Sequence, residues 1–114
     1  MDEQSRRATT ESLFRNVNER IAESAERFDA DRTQFVCECA DANCTHRVEA
    51  SLSEYEEVRA HAARFLIADG HEQPDIEQIV ERRPRFNVVE KVGASVRRTV
   101  ERLDPRRRPA TGAP

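Results

Sequence analysis

The stretch Phe35-Val36-Cys37-Glu38-Cys39-Ala40-Asp41-Ala42-Asn43-Cys44-Thr45-His46 decides how this chain is read, because it gathers all three cysteines into eight residues as Cys-x-Cys-x4-Cys. An odd number of clustered thiols is a poor disulfide framework, and in a reducing compartment such a cluster points to a metal. On an extended segment, side chains two apart share a face. Cys37 and Cys39 can therefore present their sulfurs together while Glu38 points the other way, and the turn-prone Asp41-Ala42-Asn43 can bring Cys44 back beneath them. Three thiolates converging at about 2.3 Å suit zinc, which becomes tetrahedral once a fourth ligand arrives. One structural Zn2+ is expected. An iron–sulfur cluster is disfavoured because it usually takes four cysteines, and a reducible Cys37–Cys39 bridge is a minor alternative.

The fourth ligand is sought among three histidines. His46 is nearest in sequence, two residues past Cys44; His61 falls within an expected helix and fits least. His71 follows the flexible Gly70 and lies 27 residues after Cys44, so a metal held there cross-links two distant parts of a small domain. Metal binding contributes most directly to folding in that arrangement. The preferred set is Cys37, Cys39, Cys44 and His71, with His46 as the alternative to His71.

Outward from the cluster, the reading is of an α+β fold. Before it, Leu13, Phe14, Val17, Ile21, Ala25 and Phe28 recur at steps of three and four, which predicts an amphipathic helix from Ser5 to about Phe28. Glu11 with Arg15 and Glu23 with Arg27 stand at pairing distance on it. Phe14, Val17, Ile21, Ser24 and Phe28 also fit an a/d heptad register, so the stripe suits either the domain's own core or a second copy of the helix. After the cluster, His46 to Leu52 alternates as a half-buried strand. Ser53-Glu54-Tyr55-Glu56 has the form of a capping box opening a short helix to Ala62, with Tyr55, Val58 and Ala62 inward and Arg59 on its flank. Arg64 to Ala68 reads as a buried strand. Ile76 to Arg82 is ambiguous between helix and strand and is taken as a turn passing into a strand, paired as a hairpin with Phe86 to Val92. Glu90 and Lys91 are placed at the solvent end of that strand. Val96, Val100 and Leu103 mark a last helix, ended by Asp104-Pro105. The expected organisation is an N-terminal helix over 5–30, a metal-binding body over 33–103 and a disordered tail over 104–114, with helix and tail largely outside the compact part.

The residues Phe35-Val36-Cys37-Glu38-Cys39, Cys44, Glu54-Tyr55-Glu56-Glu57-Val58-Arg59, Arg64-Phe65, Gly70-His71-Glu72 and Val88-Val89-Glu90-Lys91 resemble a group of small, usually uncharacterised bacterial proteins. The likeness covers roughly residues 10 to 92, and many of the group carry a similar N-terminal helix. It implies His71 as fourth ligand, through the Gly-His-Glu element, and implies no activity. The cysteine spacing is also similar to the post-SET zinc motif of lysine methyltransferases, a likeness that extends only to ligand geometry.

Composition bounds the function. The chain has 114 residues, 37% hydrophobic and 36% charged, with 22 acidic and 19 basic side chains for a net charge of −3. That is one domain with a small core and no overall basic character, which weighs against a strongly basic nucleic-acid binder. No apolar run approaches the roughly 20 residues of a membrane span, and Met1-Asp2-Glu3-Gln4 lacks the features of a secretory signal, so a soluble cytoplasmic protein without membrane contact is expected. Glu38 and Glu72 flank the candidate ligands, but three thiolates and a histidine saturate a zinc ion and leave no open position. The chain has no His-Glu-x-x-His, phosphate loop or nucleophile signature, and catalysis is not expected. The expected role is a zinc-stabilised binding module for a protein partner, with the N-terminal helix as docking or homodimer surface. The alternative is a nucleic-acid-binding regulator acting through Arg82, Arg83 and Arg85.

Overall fold

A computed structural model describes residues 2–107, and the remainder of the expected tail, 108–114, lies outside the described residues. Eight elements follow in the order α1 (Glu3–Arg27), β1 (Thr33–Val36), β2 (Arg47–Ala50), α2 (Leu52–Arg59), β3 (Arg64–Ile67), β4 (Glu77–Arg82), β5 (Asn87–Lys91) and α3 (Ala94–Arg102). The fold is α+β, as its sequence pattern predicts, but with two antiparallel sheets. One pairs β1 with β2; the other has the order β3-β5-β4.

The central strand β5 buries Asn87, Val88, Val89 and Lys91, since neighbours cover both its edges. Pairing of β4 with β5 shifts register between Ile79 and Glu81. This bulge explains the ambiguous reading of Ile76 to Arg82: an extra residue breaks the two-residue alternation that marks a strand, and leaves Val80 exposed. Helix α2 starts on Ser51, whose hydroxyl accepts from the Glu54 amide while the Glu54 carboxylate accepts from the Ser51 amide. The capping box therefore lies two residues earlier than the Ser53–Glu56 pair predicts. Both pairs have the right form; only Ser51 directly follows β2.

Helix α1 buries only part of its apolar stripe: Ala25 is buried and Ile21 packs partly on the core. The face it buries is Ala8, Glu11, Ser12, Arg15, Asn18, Ala22 and Ala25, whereas Leu13, Val17 and Phe28 are 60%, 45% and 73% exposed. Polar groups go inside because each meets a fixed partner there. Arg15 donates to the Ala62 and Val100 carbonyls at 2.6 and 2.8 Å and lies over the Phe65 ring. Asn18 exchanges two hydrogen bonds with the Val36 backbone, completing a rung of β1 as a neighbouring strand would. Glu11 pairs with Lys91, not Arg15, and Lys91 also pairs with Glu77; all three side chains are fully buried, so Lys91 is no solvent-facing strand end.

The helix and the first residues of the expected tail are accordingly part of the body. Arg59 is buried against Asp104 at 2.5 Å, and Arg106 pairs with Glu19 on α1 and Glu56 on α2. Tyr55, which stacks on Phe35, donates to the same Glu19. No helix among the described residues is long and apolar enough to cross a membrane.

Candidate metal centre

The candidate centre is built by two segments meeting at the edge of the core. The first runs from Cys37, just past β1, to Cys44, ahead of β2; the Cys37 amide donates to the His46 carbonyl and extends the β1–β2 ladder by a rung. Within it, the Asp41 carboxylate accepts from the Asn43 amide and the Asp41 carbonyl accepts from the Cys44 amide, a tight turn that returns the third sulfur to the first two. The second segment is the turn after β3. The His71 amide donates to the Ala68 carbonyl, and Gly70, third of the four residues, takes φ +83. A side chain there meets no neighbour but strains the backbone, which is why glycine suits the position.

The ligand atoms of Cys37, Cys39, Cys44 and His71 all lie within 4.8 Å of one another and could hold a metal ion. His71 Nδ1 is 3.5 Å from Cys37 Sγ and 3.6 Å from Cys44 Sγ. Cys37 and Cys39 are buried, while Cys44 and His71 are partly exposed at the rim. All three cysteines are unbridged. His46 stands outside this set, exposed, with its ring edge-on to His71 at 4.5 Å between centroids. His61 is exposed in the bend after α2.

Backbone donors converge on the sulfurs. The Ala68 amide donates to Cys37 Sγ at 3.2 Å, and backbone hydrogen bonds from Asp41 and His46 reach Cys39 and Cys44. Hydrogen bonding from the Cys37 thiol, then from His71 and the Asp41 amide, draws Cys39 down to about 5, while the same bond and burial push Cys37 up. Burial likewise pushes Cys44 up. Three sulfurs this close cannot all carry charge unaided, so holding them all as thiolates would require a cation among them.

Glu38, between two ligands, turns fully away from them, as strand alternation predicts. Its carboxylate accepts from the Leu66 amide at 2.9 Å and the Asn18 side chain at 2.7 Å, and its own amide donates to the Leu66 carbonyl. Burial raises its pKa, opposed by those hydrogen bonds and by Arg15 and Arg59. It thus brackets the cysteine segment to β3 and α1. The loop after His71 is held similarly: Arg7 on α1 donates to Gln73 and Asp75, and the Gln73 amide donates to Glu77. Sequence reasoning places Glu38 on the opposite face from the sulfurs but gives no sign of its depth, and it assigns nothing to Asn18 or Arg7.

Of the three arginines in the alternative reading, Arg83 is shared among Glu54, Glu57 and Glu81, Arg82 is 3.9 Å from Asp69, and Arg85 is exposed. No protein-family model, no curated protein and no solved structure matches the chain.

Proposed function

We propose that this protein is a small zinc-stabilised binding module, without catalytic activity, that meets a protein partner through the outward face of α1. The convergence of three cysteine sulfurs and one imidazole from two distant segments carries the reading. A tetrahedral ion bonded at about 2.3 Å to sulfur and about 2.05 Å to nitrogen separates those two atoms by roughly 3.5 Å. The Cys37–His71 and Cys44–His71 spacings of 3.5 and 3.6 Å suit that edge. Three soft thiolates with one imidazole favour zinc over hard, oxygen-seeking cations. Such a set closes the coordination sphere, the arrangement of structural rather than hydrolytic zinc.

The outward face of α1 supports the binding role. Leu13, Val17 and Phe28 are presented to solvent while charged residues are buried beneath the same helix, a distribution that serves a partner and not the domain's own core.

Native mass spectrometry tests the zinc centre. One zinc per chain is expected for the wild type and for His46→Ala, with loss of zinc in His71→Ala and unfolding of the wild type under a chelator. A wild-type chain that is metal-free, folded and has three titratable thiols overturns the reading.

A further inference from the structure

We infer that the partner seated on α1 is a second copy of this chain, the two helices crossing antiparallel about a two-fold axis near Arg20 and Ile21. This rests on the reading of α1 as the docking surface and not on the identity of the metal. Phe14, Val17, Ile21, Ser24 and Phe28 follow one another at steps of three, four, three and four. That average of 3.5 is the period of a seam matched by another helix of like period. The adjoining face of α1 is filled by its own domain, with Phe14 and Ile21 half-buried at the border and Ile21 packed on the core, so a second helix can reach the exposed Val17, Ser24 and Phe28 only from outside.

The surface is complementary to itself under that rotation and under no parallel one. Its N-terminal half is a ridge, with Leu13 and Val17 protruding. Beside its C-terminal half is a recess of about 300 Å³ between α1 and the start of β1, lined by Ile21, Ser24, Ala25 and Phe28 together with Ala30, Arg32 and Thr33. A two-fold axis midway sets each ridge over the other copy's recess, Val17 against Ser24 and Leu13 against Phe28. Parallel pairing stacks ridge on ridge and leaves both recesses empty.

Charge follows the same symmetry. On α1, Arg7 pairs with Asp75 and Glu19 with Arg59 and Arg106, whereas Arg20, Glu23 and Arg27, along one border of the seam, make no ion pair among the described residues. The antiparallel crossing brings Arg20 of each copy within a side chain's reach of Glu23 of the other. From Leu13 to Phe28 the seam is about 24 Å long. A contact one helix wide covers well under the roughly 800 Å² per partner of a standard interface, so the dimer is weak, with Kd on the order of 10–100 µM.

Sedimentation equilibrium of the full-length, metal-loaded chain from about 1 to 500 µM tests this. The mass is expected to rise from 13.1 kDa towards twice that value. Val17→Glu is expected to stay monomeric throughout with an unchanged circular dichroism spectrum, because its side chain is exposed in the monomer. Arg20→Glu and Glu23→Arg are each expected to weaken the dimer several-fold, and the double exchange to restore it. A wild type at 13.1 kDa across the range, a dimeric Val17→Glu, or a double exchange no tighter than the single ones overturns the inference. A chain that lacks zinc and still doubles its mass supports the interface while overturning the zinc reading; a zinc-loaded chain that never associates does the reverse.

Discussion

Glu38 ties the candidate metal centre to the rest of the molecule without belonging to its ligand set. Its two carboxylate oxygens satisfy the Leu66 amide and the Asn18 side chain, both buried. Glu38→Ala leaves these donors unpaired in the interior, at a cost on the order of 3 kcal/mol. Glu38→Gln keeps one acceptor and loses less. Chemical denaturation of the metal-loaded proteins checks that ordering, and an alanine variant as stable as the wild type refutes the bracket. At Gly70 the positive φ makes alanine cost about 1 kcal/mol, read as a shift in denaturation midpoint with zinc retained. At this scale the sequence was legible where chemistry narrows the choice. Three clustered thiols admit few roles, and the distant His71 gains most from closing a loop. Glu38 was not legible in depth, because in a chain with 22 acidic residues nothing local separates a buried carboxylate from an exposed one.

Among the elements, the periodicity of α1 announced a helix but did not settle which face packs inward. A period says which residues lie together, and the side that packs inward depends on what the rest of the fold offers. Here the body offers the Ala62 and Val100 carbonyls to Arg15, an open strand edge to Asn18 and the Lys91 ammonium to Glu11. None of these partners is near in sequence. Helix α2 shows a smaller version of the same problem, two overlapping Ser-x-x-Glu patterns of which one caps the helix. Ser51→Ala is expected to cost about 1 kcal/mol by loss of the hydroxyl acceptor for the Glu54 amide. Ser53→Ala is expected to stay within about 0.5 kcal/mol. Thermal unfolding of the two variants decides between them, since equal losses contradict the observed cap.

For the whole molecule, a buried ionic centre stands where β4 and β5 meet α1, apart from the candidate metal ligands. That centre holds two carboxylates, Glu11 and Glu77, on one ammonium, Lys91, all without solvent contact. Burial, and then the neighbouring Glu77, raise Glu11 to about 8, and the attraction of Lys91 does not overcome them. A proton held on Glu11 lowers the cost of burying two carboxylates side by side. In the unfolded chain the same carboxyl titrates near its ordinary value of 4.5. Between about pH 4.5 and 8 the folded state therefore binds a proton that the unfolded state has released. Stability from this group is complete below the lower limit, falls as pH rises through the window and is gone above the upper. The slope is at most about 1.4 kcal/mol per pH unit. Zinc ligation as proposed would have the opposite trend, because thiolates reprotonate in acid, so the wild-type profile alone would mix the two. Glu11→Gln isolates the ionic centre by fixing a neutral group there while leaving the metal edge unchanged. Relative to the wild type, the variant is expected to gain stability as pH rises from 6 towards 8 and to hold a constant difference above that. Urea midpoints of both metal-loaded proteins across this range measure the difference directly. Parallel profiles show that Glu11 is ionised throughout, and a variant that loses ground with rising pH reverses the assignment of the proton.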